Sequence, residues 1–108
     1  MKDSDRLFGS LELLILKTLA SGPNHGFGIT LHVETVSKGL LHMEEGSLYP
    51  ALHRLEKAGL ARGEWRQTEN GRRARVYTLT ASGRKRLAEN EASWSSASLG
   101  IERVLRFV

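Results

Sequence analysis

Apolar residues near the start of the chain return at helical spacing. Leu11, Leu14, Ile15 and Leu19 form one stripe, and Leu13, Leu16 and Ala20 widen it. With Ser10 as N-cap and Gly22-Pro23 as stop, the pattern predicts a helix over 11–21. A face this broad predicts cover from more than one direction, a second subunit being one candidate. HGFGITLHVETVSKG (25–39) predicts a second helix, with Phe27 and Leu31 on one side and Ile29, Val33 and Val36 around it. Gly26 and Gly28 are weak helix formers, which predicts close approach by a neighbouring backbone. Gly39 ends this helix, and residues 40–43 read as a very short strand.

GSLYPALHRLEKAG (46–59) predicts a third helix. Proline has no N–H and clashes with the carbonyl four residues back, so Pro50 is expected in a first turn, with the helix starting within two or three residues of Ser47. Leu48, Ala51, Leu52 and Leu55 then make the inward stripe. Pro50, His53, Arg54 and Lys57 face away from it, with Tyr49 on the flank. In isolation that charged outer face reads first as ordinary solvation.

Residues 60–68 and 74–80 have the β-branched and aromatic content of strands. Asn70-Gly71 between them tolerates the two positive φ angles of a tight hairpin turn. From Thr80, an N-cap candidate, no proline interrupts the chain to its end. Leu87, Trp94, Ile101 and Val108 fall seven apart, and Ala97 and Val104 lie three beyond two of them. That is a heptad seam, joined by Leu105, on a helix of about 25 residues, roughly 40 Å long. Asn90, Ser98 and Gly100 weaken it. The alternative is a terminal helix folded against its own domain.

Composition narrows what such a chain can do. It has 108 residues, no cysteine and a net charge of +4. One small domain is expected, with no disulfide and no thiolate metal site. No apolar run reaches the length of a membrane span, and residues 1–10 do not resemble a signal peptide, so a cytoplasmic protein is expected. The charge is uneven. RGEWRQTENGRRAR (62–75) holds five arginines against Glu64 and Glu69, while the rest of the chain has eleven basic and ten acidic residues. A patch so concentrated favours a polyanionic partner. No catalytic or metal-binding constellation is found. His25, His32, His42 and His53 lack the spacing of a helical metal site, and no cofactor motif follows a strand. Glu44-Glu45 reads as a complement to a helix dipole.

Three helices, a hairpin and a long helix give a mainly α fold with a small β-hairpin, a winged helix-turn-helix with a long C-terminal dimerisation helix. The boundaries expected are 1–80 for the DNA-binding domain and 81–108 for the dimerisation helix. The third helix then occupies the recognition position. Ser47 and Tyr49 offer hydroxyls to a phosphate near the helix N-terminus, while His53, Arg54 and Lys57 reach toward base edges. Arg72, Arg73 and Arg75 place the wing against phosphates or an A/T-rich minor groove.

HGFGI (25–29), GSLYPALHRLEKAGL (46–60), EW (64–65) and GRRARVYTLTASGRKRL (71–87) together resemble the PadR family of bacterial transcriptional regulators. The resemblance implies a winged-helix repressor that dimerises through its last helix, of the short-tailed branch. By position, Tyr49, Pro50 and Arg54 match the family's recognition-helix motif, and Arg72, Arg73 and Arg75 its basic wing. Phe27 stands where a tyrosine is usual, and Val76 where a second aromatic often precedes Tyr77. The partners implied are double-stranded DNA with an inverted-repeat operator, a second copy of the chain, and a small apolar or aromatic effector. Trp94 is either core packing or the surface on which such an effector stacks. A protein-interaction adaptor without specific DNA binding is the alternative function.

Overall fold

The computed structural model describes residues 3–107, with side chains from Ser10 onward, so the last heptad position, Val108, lies outside the described residues. The order is α1 (Asp3–Ala20), β1 (Asn24–His25), α2 (Gly26–Val36), α3 (Glu45–Lys57), β2 (Ala61–Gln67), β3 (Arg73–Leu79) and α4 (Ala81–Leu105). A three-stranded antiparallel sheet has the order β1-β3-β2. The winged helix-turn-helix expected from the order of elements is the fold observed.

Ile15, Leu16 and Leu19 of α1, Ile29 and Val33 of α2, and Leu48, Ala51, Leu52 and Leu55 of α3 make the core. Tyr77 and Leu79 of β3 close it from the sheet side, and Leu87 of α4 caps it. Helix α3 thus contributes the whole stripe its periodicity marked, whereas in α1 Leu16 joins Ile15 and Leu19 in the core and Leu11 and Leu14 pack at its edge. Phe27, Leu31 and Val36, assigned to the faces of α2, are exposed.

Several local expectations are corrected. Helix α1 begins at Asp3, so Ser10 lies inside it and caps nothing at its start. Residues 40–43 form no strand. Instead Asn24 and His25 pair with Tyr77 and Val76 at the edge of β3. His25 then turns the chain into α2, its Nδ1 accepting a 3.1 Å hydrogen bond from the Gly28 amide. The glycines of α2 accommodate side chains, not backbone. A Cβ on Gly26 would lie 2.7 Å from the Tyr49 ring, and one on Gly28 would collide with the Asn24 amide.

Helix α3 starts two residues before Ser47, at Glu45, within the expected range. Pro50 nevertheless falls inside it rather than in its first turn. It leaves the Gly46 carbonyl without its i+4 amide, on the solvent side where water can replace the bond. The helix ends in a left-handed Gly59 (φ 77°), with the Leu60 amide returning to the Leu55 carbonyl at 2.9 Å. The hairpin is also wider than a two-residue turn. Thr68 and Arg72 close a three-residue loop through a 2.6 Å backbone bond. Only Gly71 there has positive φ (81°), as in a hairpin with a G1 bulge, and Asn70 does not.

Helix α4 is the 25-residue helix expected. Thr80 caps it, accepting at 3.0 Å from the Gly83 amide and donating at 2.7 Å to the Gly59 carbonyl. Its first half docks on α1. Asn90 Nδ2 donates to Glu12 Oε2 at 2.6 Å, and Lys17 pairs with Glu91 at 3.2 Å. Its second half carries the molecule out to a long dimension of 57 Å against 29 and 24 Å. The alternative of a helix folded against its own domain thus holds for the first half, while the second half extends beyond that domain.

Candidate nucleic-acid interface

The outward face of α3 is built by exclusion. Four consecutive stripe positions go to the core, so at 3.6 residues per turn Gly46, Pro50, His53 and Lys57 occupy the opposite line. All four are exposed, and so is Ser47. Tyr49 sits on the flank toward α2, its ring packed over Gly26 and partly exposed. Arg54 sits on the other flank. It lines a groove of about 310 Å³ together with Glu12, Arg86 and Asn90, over a floor that includes Leu55 and Leu60. Ser47, Pro50, His53 and Lys57 thus share a surface as expected, while Arg54 is turned toward α1 and α4.

At the start of α3 the Ser47 and Leu48 amides both donate to the Glu44 carbonyl, at 3.0 and 2.9 Å. Glu44 caps through its backbone alone. Glu45 occupies the first turn, where its charge complements the helix dipole. The turn before it is tied down by His42, whose imidazole lies 3.2 Å from Glu34 and 3.9 Å from Glu44.

The wing presents two faces of different character. Strand register pairs Trp65 with Arg75 and Gln67 with Arg73, putting these four on the side that continues from Tyr77 and Leu79. On that side the Arg73 and Arg75 guanidiniums lie 5.5 and 5.8 Å from the centroid of the exposed Trp65 ring. Arg75 also donates to Glu56 of α3 at 2.5 Å. Glu56 raises the Arg75 pKa above its already high ordinary value, and burial pushes that of the neighbouring Tyr77 hydroxyl up. The opposite side carries Arg62, Glu64 and Arg66, with Arg66 paired to Glu64. Arg72 is exposed at the loop. Of the three wing arginines expected at an interface, Arg72 and Arg73 are exposed at the outer end of the hairpin and Arg75 is held against Glu56. Glu56 and Trp65 were not among the expected site residues. Their signal lay in the hairpin register, which depends on loop length.

A winged helix with a solvent-facing third helix beside arginines is a fold shared by many proteins, so the comparison with known families decides its class. Residues 15–89 match the transcriptional regulator PadR-like family. This chain belongs to that family. PadR-like proteins are transcriptional regulators, which places the chain among DNA-binding regulators and not among enzymes. It is 38% identical over 81 residues to the Transcriptional regulator Rv3488 of Mycobacterium tuberculosis, covering 75% of this chain and 72% of that protein. It is 43% identical over 81 residues to an uncharacterized 37.1 kDa protein in transposon TN4556 of Streptomyces fradiae, of which the match spans only 21%. Among solved structures, a transcriptional regulator from Clostridium thermocellum superposes with a TM-score of 0.82 at 26% identity, over 95% of this chain and 97% of that one. The PadR-like match runs past β3 to the first half of α4, the part that docks on α1. Among the described residues no helix is long and apolar enough to cross a membrane.

Proposed function

We propose that this PadR-like chain is a homodimeric repressor that binds an inverted-repeat operator, with residues 1–80 contacting DNA and 81–108 joining the subunits. One observation carries the reading. The exposed line of α3 and the exposed arginines of the wing lie on adjacent elements, as a protein needs to engage a groove and its flanking phosphates together. In this arrangement His53 and Lys57 reach base edges in the major groove. Ser47, Tyr49 and the turn held open by Pro50 approach the phosphate that borders it. Arg72 and Arg73 follow the adjacent backbone or minor groove. Arg54 reaches DNA only by extending away from the groove it lines.

The dimer reading rests on the second half of α4. Trp94 and Ile101 are 49% and 50% exposed, and Val104 and Leu105 still more so. They share one face at heptad spacing, so as a single chain the helix would leave a continuous apolar strip in water. Leu87, on the same seam, is 7% exposed because it packs into its own domain. The free seam therefore begins at Trp94. A half-exposed indole at that point offers a flat apolar effector a stacking surface between two subunits, which would relieve repression by favouring a different dimer geometry.

A salt titration tests the central claim. Affinity for duplex DNA should fall steeply and linearly on a log-log plot, with a slope near the number of phosphates contacted. An adaptor would bind duplex DNA negligibly even at low salt, and that result would remove the DNA-binding assignment.

A further inference from the structure

We infer that Glu56 and Arg75 form a strut that fixes the angle between the recognition helix and the wing, so that both act in operator binding as positioning residues. The inference rests on the operator-binding reading above. The geometry calls for such a device. Strands of seven residues reach about 23 Å, and β1 supports β3 only at Val76 and Tyr77. The next residue outward, Arg75, is where support from the third strand ends. There its Nη2 meets Glu56 Oε2 at 2.5 Å, with both side chains about two-thirds shielded (32% and 30% exposed). Glu56 lies in the last turn of α3, on the flank opposite Arg54. One guanidinium thus bridges helix and wing while covering Trp65 of the paired strand.

The packing around the pair is equally specific. A Cβ on Gly63, across from Tyr77, would stand 2.9 Å from Arg75 Nε, 3.0 Å from Tyr77 Cε1 and 3.1 Å from Glu56 Oε1. A glycine keeps open the space that the pair occupies. Leu60 and Ala61, at the wing's root, belong to the core independently of the pair. Removing the pair should therefore leave the core in place and let the outer hairpin swing.

Electrostatics makes the test one of sign. Glu56 is an acid beside a DNA-facing helix. As a bystander it repels phosphate, and Glu56→Gln would raise affinity. As a strut it holds the wing, and the same change lowers affinity although the protein becomes more positive. The full-length protein would be titrated with a duplex selected by the wild type from a random-sequence pool, and with an unselected duplex of equal length. Glu56→Gln and Arg75→Gln should each weaken binding to the selected duplex about tenfold, and the double variant should be no weaker than the worse single. Their salt slopes should match the wild type. Higher affinity for Glu56→Gln, additive losses, or an Arg75→Gln slope shallower by about one phosphate would overturn the strut. Acrylamide quenching of Trp65 in a Trp94→Phe background reads the same interaction without DNA. Glu56→Gln should make Trp65 more accessible, and unchanged quenching would also overturn it. If instead the wild type selects no duplex while Glu56→Gln still exposes Trp65, operator binding fails and the strut stands.

Discussion

Lys57 and Arg72 carry the same charge, yet the proposed interface gives them different work. Lys57 stands on a helix line opposite the core stripe, where a side chain can enter a groove, whereas Arg72 stands at a hairpin loop. His53→Ala and Lys57→Ala should reduce affinity for the operator by about 1–3 kcal/mol and affect random DNA less. Arg72→Ala with Arg73→Ala should weaken both and flatten the salt slope by about one for each phosphate that is no longer neutralised. Parallel binding curves on both duplexes check this, and equal losses from every variant would defeat the division. These residues could be read from helical periodicity because a core stripe defines its own opposite face. Arg54 shows the limit of that logic. It lies near the border of the outward arc, and whether it turned to DNA or to the groove with Glu12 and Arg86 depended on where α1 and α4 pack.

Elements were legible where their signals are local. Thr80 as cap, the uninterrupted α4 and the apolar stripe of α3 each depend on residues within a turn or two of one another. The hairpin did not yield its register so easily. A two-residue loop at Asn70-Gly71 would pair Trp65 with Val76, while the observed three-residue loop pairs it with Arg75 and puts both on the face toward α3. One residue of loop length thus decides whether the cluster with Glu56 exists. Strand β1 escaped for another reason. Two residues show no alternation, and they form a strand only because β3 presents an edge beside them. The start of α4 gives a test at this scale. Thr80→Ala removes the acceptor for the Gly83 amide and the donor to the Gly59 carbonyl together, and should cost about 1–2 kcal/mol in urea unfolding. Gly83→Ala should cost more, because its Cβ would collide with the Leu60 carbonyl, a backbone atom that cannot rotate aside.

For the whole molecule, the proposed homodimer makes the distance between its two α3 helices the dimension that matters, and α4 would set it. Half of α4 is committed to α1 through Glu12 and Lys17, so the exposed half from Trp94 is rigidly aimed relative to the winged domain. Joining two copies along that half fixes the separation of the two α3 helices. The seam can be tested without harming the monomer, since Ile101 is already half exposed and Ile101→Asp buries no charge in the single chain. In the dimer the same charge would be desolvated, so sedimentation should show monomers at micromolar concentration. Persisting dimers would place the interface elsewhere. Operator geometry then follows from two-fold symmetry. Two copies of α3 enter successive major grooves on one face of B-DNA only if their centres lie about 34–36 Å apart, or a multiple of that. The protected site should therefore be an inverted repeat with half-site centres about 10 base pairs apart or in phase with that spacing. Ile101→Asp should protect a single half-site and only at higher protein concentration. A footprint without dyad symmetry, or half-sites out of phase with the helical repeat, would show that the subunits do not meet along α4 even if each binds DNA.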